Sequence, residues 1–317
     1  MLIKLTVTLF FLFFLFLHSA PAQAEQSFIQ RQMEAFKHSN IEFGRSGSNV
    51  PFPPFAFLGG SHYGKAEVEN SDRGIDLDYD VSSIGQAAAL PMLLGDRDAL
   101  LVGEYISYSD FDVDGADVDS FNVKTFGIPV AWLRQVNPDW QVAAFAMPLG
   151  HDNSLDNGGW TWQTLGGGFT RWVQHDHLWW VFGLYFDIAP DENFYIPYVG
   201  ASWQINHQWT LSAVMPWPAL LYAPTQDWLL RFGASPSSAS WSVSPAKGDV
   251  TLNMDAWDFG LGVERRLTGN FWASIETGIG GLRGLRITGT DVKSPDTDVG
   301  SSWYVALDFK IRAGLLD

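Results

Sequence analysis

Three short stretches of this chain carry residue types whose spacing suits chemistry. His175-Asp176-His177 sets two imidazoles around a carboxylate. In a strand, residues i and i+2 share a face, so His175 and His177 are candidate ligands for Zn or Cu. The tripeptide also has the composition of a polar turn, and the sequence places no third ligand beside it, whereas a metal site needs three or four. His151, Asp152 and Ser154 are the types of a nucleophile, base and orienter, as in barrel enzymes that hydrolyse lipid at the rim. They sit in "HDNSLDNGG", a Gly/Asn-rich stretch with no strained nucleophile turn, which reads as a solvated loop. "LGGGF" (165–169) lacks the strand–loop–helix context of a phosphate-binding loop, and its glycines read as sites of bending or close backbone approach. The expectation is therefore no catalytic residue, no metal and no cofactor, with His175 and His177 as the only metal candidates.

A fourth group is spread along the chain. Asp258, Glu264, Glu276, Asp308, Lys310 and Arg312 all fall on the polar face of segments with period-two alternation. In "AWDFGLGVER", Trp257, Phe259, Leu261 and Val263 alternate with Ala256, Asp258, Gly260, Gly262 and Glu264. In "FWASIETGIGG", Phe271, Ala273, Ile275 and Ile279 oppose Trp272, Ser274, Glu276, Gly278 and Gly280. "SWYVALDFKIR" sets Trp303, Val305, Leu307, Phe309 and Ile311 against Tyr304, Ala306, Asp308, Lys310 and Arg312. Such alternation marks strands with one apolar and one polar face. Near the start, "GIDLDYDVS" alternates in the same way and adds Asp76, Asp78 and Asp80, which closure of a sheet on itself brings towards the last strands. Two readings of these nine residues stand: an acidic pore lining that favours cations, or a mixed-sign network that fills a narrow interior.

The elements that would position these groups follow from the rest of the chain. Lys4, an apolar core over 5–17, Pro21 and the small-x-small "AQA" describe a signal peptide cleaved after Ala24. The core is short against the roughly 20 residues of a spanning helix. There is no cysteine, so no disulfide and no thiolate metal site. The formal charge is −16, which excludes the basic surface that nucleic acid needs. Charged residues are 17 % of the chain, too few to coat the outside of a soluble domain of this size, for which about 25 % is usual. The bulky side chains take one face of each strand, while glycine, alanine and charge take the other. Strand-like segments are long, and aromatics crowd their ends, as in "LWWVFGLYFDIAPDENFYIPYVGASW". Trp and Tyr prefer the membrane–water interface, and lipid offers backbone groups no partners, so a sheet crosses a membrane only by closing.

The expected fold is therefore all-β: an up-and-down antiparallel transmembrane β-barrel of about twelve strands, with ten and fourteen open. Residues 1–24 are the signal peptide, 25–54 a periplasmic arm and linker closed by the proline-rich "NVPFPPF", and 55–317 the barrel in a Gram-negative outer membrane. Turn signals alternate between longer and tight: "VDGADVD" and "HDNSLDNGG" against "NPD" and "HDH". The alternation fails towards the C-terminus, where "TGN" is short and "TDVKSPDTD" long. Prolines 129, 148, 197, 216 and 218 lie inside strand-like runs and predict bulges or bends. Expected partners are outer-membrane lipid and small solutes. The expected role is a passive pore or small-solute transporter, with a closed structural barrel as the alternative and a lipid-modifying barrel enzyme as a more distant one.

"DRDALLVGEYISYSDFDV", "WLRQVNPDWQVAAFAMPLGHD", "LSAVMPWPALLYAP" and "ERRLTGNFWASIETGIGGLRGLRI" resemble an uncharacterised outer-membrane β-barrel family of Gram-negative bacteria, a domain of unknown function. The resemblance runs from about Gly59 to Asp317. It implies a barrel and a location, and no reaction. "WYVALDFKIR" is similar to the C-terminal signal read by the barrel-assembly machinery, which the resemblance implies as a partner in biogenesis. The chain departs from the pattern by ending "AGLLD" rather than on an aromatic.

Overall fold

The computed structural model describes residues 28–41, 48–70, 75–115, 119–155, 158–189, 192–214, 217–243, 250–289 and 298–312. The expected signal peptide, residues 1–24, lies outside them. A short helix, α1 (Phe28–Lys37), precedes seventeen strand segments. These are β1 (Pro54–Asn70), β2 (Ile75–Leu93), β3 (Asp98–Asp114), β4 (Phe121–Gly127), β5 (Val130–Asn137), β6 (Trp140–Asn153), β7 (Gly158–Gly159), β8 (Thr161–His175), β9 (Leu178–Ala189), β10 (Glu192–Gln204), β11 (Trp209–Ala213), β12 (Ala219–Tyr222), β13 (Trp228–Val243), β14 (Val250–Thr268), β15 (Phe271–Gly289), β16 (Asp298–Val299) and β17 (Ser302–Arg312). All pair antiparallel with their neighbours, and β1 pairs β17 from Pro54↔Arg312 to Tyr63↔Tyr304, so the sheet closes.

Segments β4 and β5 form one stave, interrupted only at Ile128-Pro129, because β3 pairs both in a continuous register. With β7 as part of a loop and β16 as the outward continuation of β17, paired with the same neighbours β1 and β15, the barrel has fourteen staves. Fourteen is close to the count of about twelve read from the sequence, where fourteen is left open. "LSAVMPWPALLY" holds parts of two short strands, β11 and β12, that pair antiparallel from Trp209↔Tyr222 to Ser212↔Ala219. Counting that pair also restores the loop alternation: "NHQ", "PTQD" and "TGN" all lie on the rim that holds Pro54 and Arg312, while residues 290–297 of "TDVKSPDTD" lie outside the described residues.

Which way each face points is set by the medium beside it. In β14, β15 and β17, Phe259, Leu261, Ile275, Ile279, Trp303 and Leu307 are exposed on the outside. Their neighbours Asp258, Glu264, Trp272, Ser274, Tyr304 and Arg312 are buried inside. At the rim bearing the chain ends, Trp140 stacks on Trp172 at 5.9 Å and Trp209 on Tyr222 at 4.4 Å. Arg265 lies over the Trp228 ring at 5.0 Å. At the other rim Trp160 stacks on Trp162 at 6.0 Å. Two aromatic girdles thus bound an apolar outer belt, the signature of a membrane barrel. The protein is an outer-membrane β-barrel, with its tight turns on the periplasmic side.

The outer ends of β1 to β3 reverse the rule. A register shift between Tyr63 and Ala66 turns β1 over, so that Ala66 and Val68 point inward. On β2 the buried, inward residues are Tyr79 and Val81, and Asp78 and Asp80 face out, which corrects the expectation that these acids join the lumen. Above the hydrocarbon the outside is wet, so charge is accommodated there and apolar groups turn inward. Asp76 is paired with Glu69 in register, and its side chain lies outside the described residues.

Candidate functional site

The barrel interior has three levels. The outer level is apolar. Tyr79, Val81, Phe111, Phe121 and Val123 pack with Ala66 and Val68 into a buried cluster. Phe111 and Phe121 stack face to face at 4.7 Å. Leu252 and Met254 of β14 join from the far wall, and the Tyr79 hydroxyl reaches the Met254 sulfur at 3.5 Å. Three staves, β15, β17 and β1, lie between β14 and β2, so this contact crosses the lumen. Beside it, Gly158-Gly159 (β7) pairs with Ser242-Val243 of β13, drawing the β6–β8 loop across the mouth.

The periplasmic level is also closed. Phe36 and Ile41 pack on Ala99 and Leu133, whose side chains point inward from β3 and β5. Phe36 meets Phe55 edge-on at 6.0 Å. Described residues on either side of positions 42–47 are fastened to two parts of this rim. The Asn40 backbone N–H donates to the Asp96 carbonyl at the β2–β3 turn. The Asn49 N–H donates to the His207 carbonyl at 2.8 Å, and its side-chain amide to the Ala223 carbonyl at 3.1 Å, on the far side of the same rim.

Between these levels lies the site. One wall carries charge. Glu264 accepts from Lys310 Nζ at 2.9 Å and is paired with the Arg312 guanidinium, which also donates to the Phe52 carbonyl. Arg312 lies over the Trp272 ring at 5.4 Å, and Arg266 is 5.8 Å from the same ring. Asp308 accepts from Ser274 Oγ at 3.1 Å and has Lys310 Nζ at 3.8 Å. The Tyr304 hydroxyl donates to Glu276 at 2.6 Å, Arg231 lies 3.4 Å from the other oxygen, and the Tyr63 hydroxyl donates to Asp258 at 2.6 Å. Gly59 and Gly260 keep this wall thin, because a Cβ at either would strike Asp308 or the Tyr304 hydroxyl. Of the nine residues singled out from sequence, six meet here: Asp258, Glu264, Glu276, Asp308, Lys310 and Arg312. Arg231, Tyr63 and Tyr304 complete the network and were missed. The tyrosines do sit at inward positions of alternating strands, which was the available signal.

The facing wall is aromatic. Phe145 of β6 stacks on Phe169 of β8 at 5.5 Å, and Phe169 meets Tyr198 of β10 at 5.1 Å. The Phe169 ring lies flat on the sheet because Gly167 and Gly183 leave it room, and a Cβ at either would strike it. The interior at this height is not packed shut. From Leu100 to Ser109, β3 shows no buried face: its lumen-side residues are as half-exposed as its membrane side.

The remaining sequence candidates do not assemble. His151 points inward, bonded to Thr125 Oγ1 at 2.9 Å and Gln163 Oε1 at 3.2 Å. Asp152 lies 3.7 Å from Lys124, and Ser154 Oγ accepts from the Asn122 N–H, so the three diverge and form no triad. His175 and His177 are exposed in a periplasmic turn, where His175 Nδ1 faces the His177 N–H at 3.3 Å. Among the described residues no cluster of three or more His, Asp or Glu gathers around a common point.

No family model and no curated protein matches the chain. Among solved structures it is similar to a Pseudomonas aeruginosa FadL homologue, at 9 % identity over 84 % of this chain and 96 % of that one, with a TM-score of 0.46. It is also similar to the Pseudomonas putida toluene transporter TodX, at 10 % identity over 86 % and 99 %, TM-score 0.42. The COG4313 outer-membrane channel from Pseudomonas putida F1 gives 10 % identity over 85 % and 99 %, TM-score 0.38. At these values the likeness assigns neither a family nor an activity, and what the barrel does is read from its own walls.

Proposed function

We propose that this barrel is a passive conduit for small, weakly polar solutes, held closed at both ends in the state described. The observation that carries the reading is the half-exposed lumen-side face of β3 at mid-height, between two buried apolar closures. A barrel whose interior only serves its own stability packs at all heights, since small barrels fill with side chains. Here the packing is concentrated at the ends, and the middle is a chamber. Mixed signs on the charged wall, where each acid is met by a cation or a hydroxyl, argue against a simple acidic filter. The aromatic wall suits the apolar body of a solute and the charged wall its polar end.

The test is release from liposomes containing the purified protein. A small aromatic alcohol trapped inside is expected to leave faster than a sugar of similar size, and both faster than from protein-free vesicles. Equal, protein-independent leakage of both defeats the conduit. That outcome favours a closed structural barrel, which the extent of the charged network also supports.

A further inference from the structure

One patch of the membrane-facing wall is built unlike the rest. A Cβ at Gly59 would strike Asp308 in the lumen, so its neighbour Leu58 points outward. Leu58 pairs with Gln86, which therefore also faces the membrane. Gln86 Nε2 donates to the Glu104 carboxyl, 3.2 and 3.3 Å from its two oxygens. The register gives the height of this pair. One ladder row starts at Trp228, climbs one stave at a time through Phe309, Leu58 and Gln86, and ends at Trp162. Trp228 belongs to the periplasmic girdle and Trp162 to the outer one. Gln86 is the sixth of the ten residues in the row, so the pair lies near the middle of the hydrocarbon. Polar and ionisable groups at that depth are costly and are met by protein.

Here the protein leaves one group unmet. Gln86 is 8 % exposed, and its Oε1 is buried with no hydrogen-bond partner. A primary amide carries two N–H donors and a carbonyl acceptor. The two oxygens of one carboxyl are too close together to take both N–H groups, so one N–H and the carbonyl of Gln86 stay open. The wall around the pair differs as well. Elsewhere the belt shows large exposed apolar side chains, such as Phe232, Leu261, Ile279 and Leu307. Among the described residues, β1, β2 and β3 contribute none. Their membrane face sets Ala56, Gly60, Ser82 and Ala88 among half-buried Leu58 and Ile84. Small residues let two walls approach closely, and polar groups then bond across the contact.

We propose that this face joins two copies of the chain, side by side in the membrane around a two-fold axis along its normal. The amide selects the occupant, because its edge is complementary to itself. Across the axis the free N–H of each Gln86 donates to Oε1 of the other, while Glu104 holds the Gln86 of its own copy. A turn about the soft last torsion of Gln86 brings that edge to the surface. Strands of membrane barrels tilt by about 35–45°, so the facing staves of two copies cross at mid-height and splay above it. The acidic outer ends of β2 and β3, where Asp78 faces Asp114 and Asp80 faces Asp112, then lean apart instead of meeting. The contact is independent of what the lumen carries.

The contact is tested in the full-length protein, reconstituted in phosphatidylcholine vesicles. The photo-crosslinking amino acid p-benzoylphenylalanine is placed at Leu58, beside Gln86, or at Leu184, exposed on β9 across the barrel. Covalent dimers are expected from 58, and lipid adducts alone from 184. In a second measurement, copies carrying donor and acceptor dyes are diluted with lipid, and energy transfer reads their association. Gln86→Leu with Glu104→Leu strands no polar group in lipid. It is expected to weaken association about tenfold, the effect of losing two hydrogen bonds between membrane-spanning segments. Covalent dimers from 184 as readily as from 58, or a double variant that associates like the parent, overturns the proposal. So does a parent that stays monomeric at every dilution, which leaves the pair to lipid or to a different membrane protein. The comparison of 58 with 184 keeps Gln86 and Glu104 in place and decides even if the double variant fails to fold.

Discussion

A barrel carrying Phe111→Ala with Phe121→Ala is expected to release small solutes at least about tenfold faster than the parent, the factor that follows from lowering a barrier by about 1.4 kcal/mol. These two rings are the flattest stacked pair at the outer closure, and Tyr79 and Val81 press on them from β2. An apolar constriction resists permeation because water does not wet it, and removing two rings lets water through. The staves that carry them are paired on both sides, so the wall itself is expected to survive. Planar-bilayer conductance checks the result. An unchanged trace, from protein that still shows heat-modifiable migration on a gel, places the barrier elsewhere.

The second large effect is on stability. Glu264→Gln removes the only carboxylate joined to both Lys310 and Arg312 and is expected to cost about 3–5 kcal/mol, the range for breaking a buried ion pair and leaving its partner uncompensated. All three side chains are mostly buried, so solvent screening offsets little of this. Arg312 also holds the Phe52 carbonyl and lies on Trp272, so the loss spreads to the arm and to β15. Urea unfolding in vesicles reads the effect. Glu264→Leu combined with Lys310→Met and Arg312→Met is expected to recover part of the loss, because no charge is then stranded. A single variant as stable as the parent would mean that water already solvates these cations.

Several features of this architecture were legible in the residues. The alternation in β14, β15 and β17 assigns the correct faces, and six of the nine charged candidates converge because period two leaves them no other side. Other features were hidden for physical reasons. Alternation states that a strand has two faces and is silent on the medium beside each. Asp78 and Asp80 therefore read like Asp258 and Asp308, although the first two sit above the hydrocarbon with water outside. The pairing of β11 with β12 was hidden because both strands are too short to show a period, and the prolines of this stretch of sequence read as bends in one long strand. Pro197 looked like a bulge for a related reason, and only the register shows that β10 at this point pairs with β9 while its pairing with β11 is confined to Ala201–Gln204. His151 and His175 illustrate the opposite error, in which reactive residue types lie close in sequence and their side chains serve local bonds instead.

The arm at the periplasmic mouth has a consequence for biogenesis. Its fastenings lie at Asp96, His207, Ala223 and Arg312, which are scattered from the first third of the polypeptide to its last strand. None of these docking points is complete until the staves between them have zipped together and the final one has met the first. The N-terminal segment, made first, must therefore stay loose through insertion and be fastened last. Its resistance to an added protease would serve as a clock for the moment the cylinder seals.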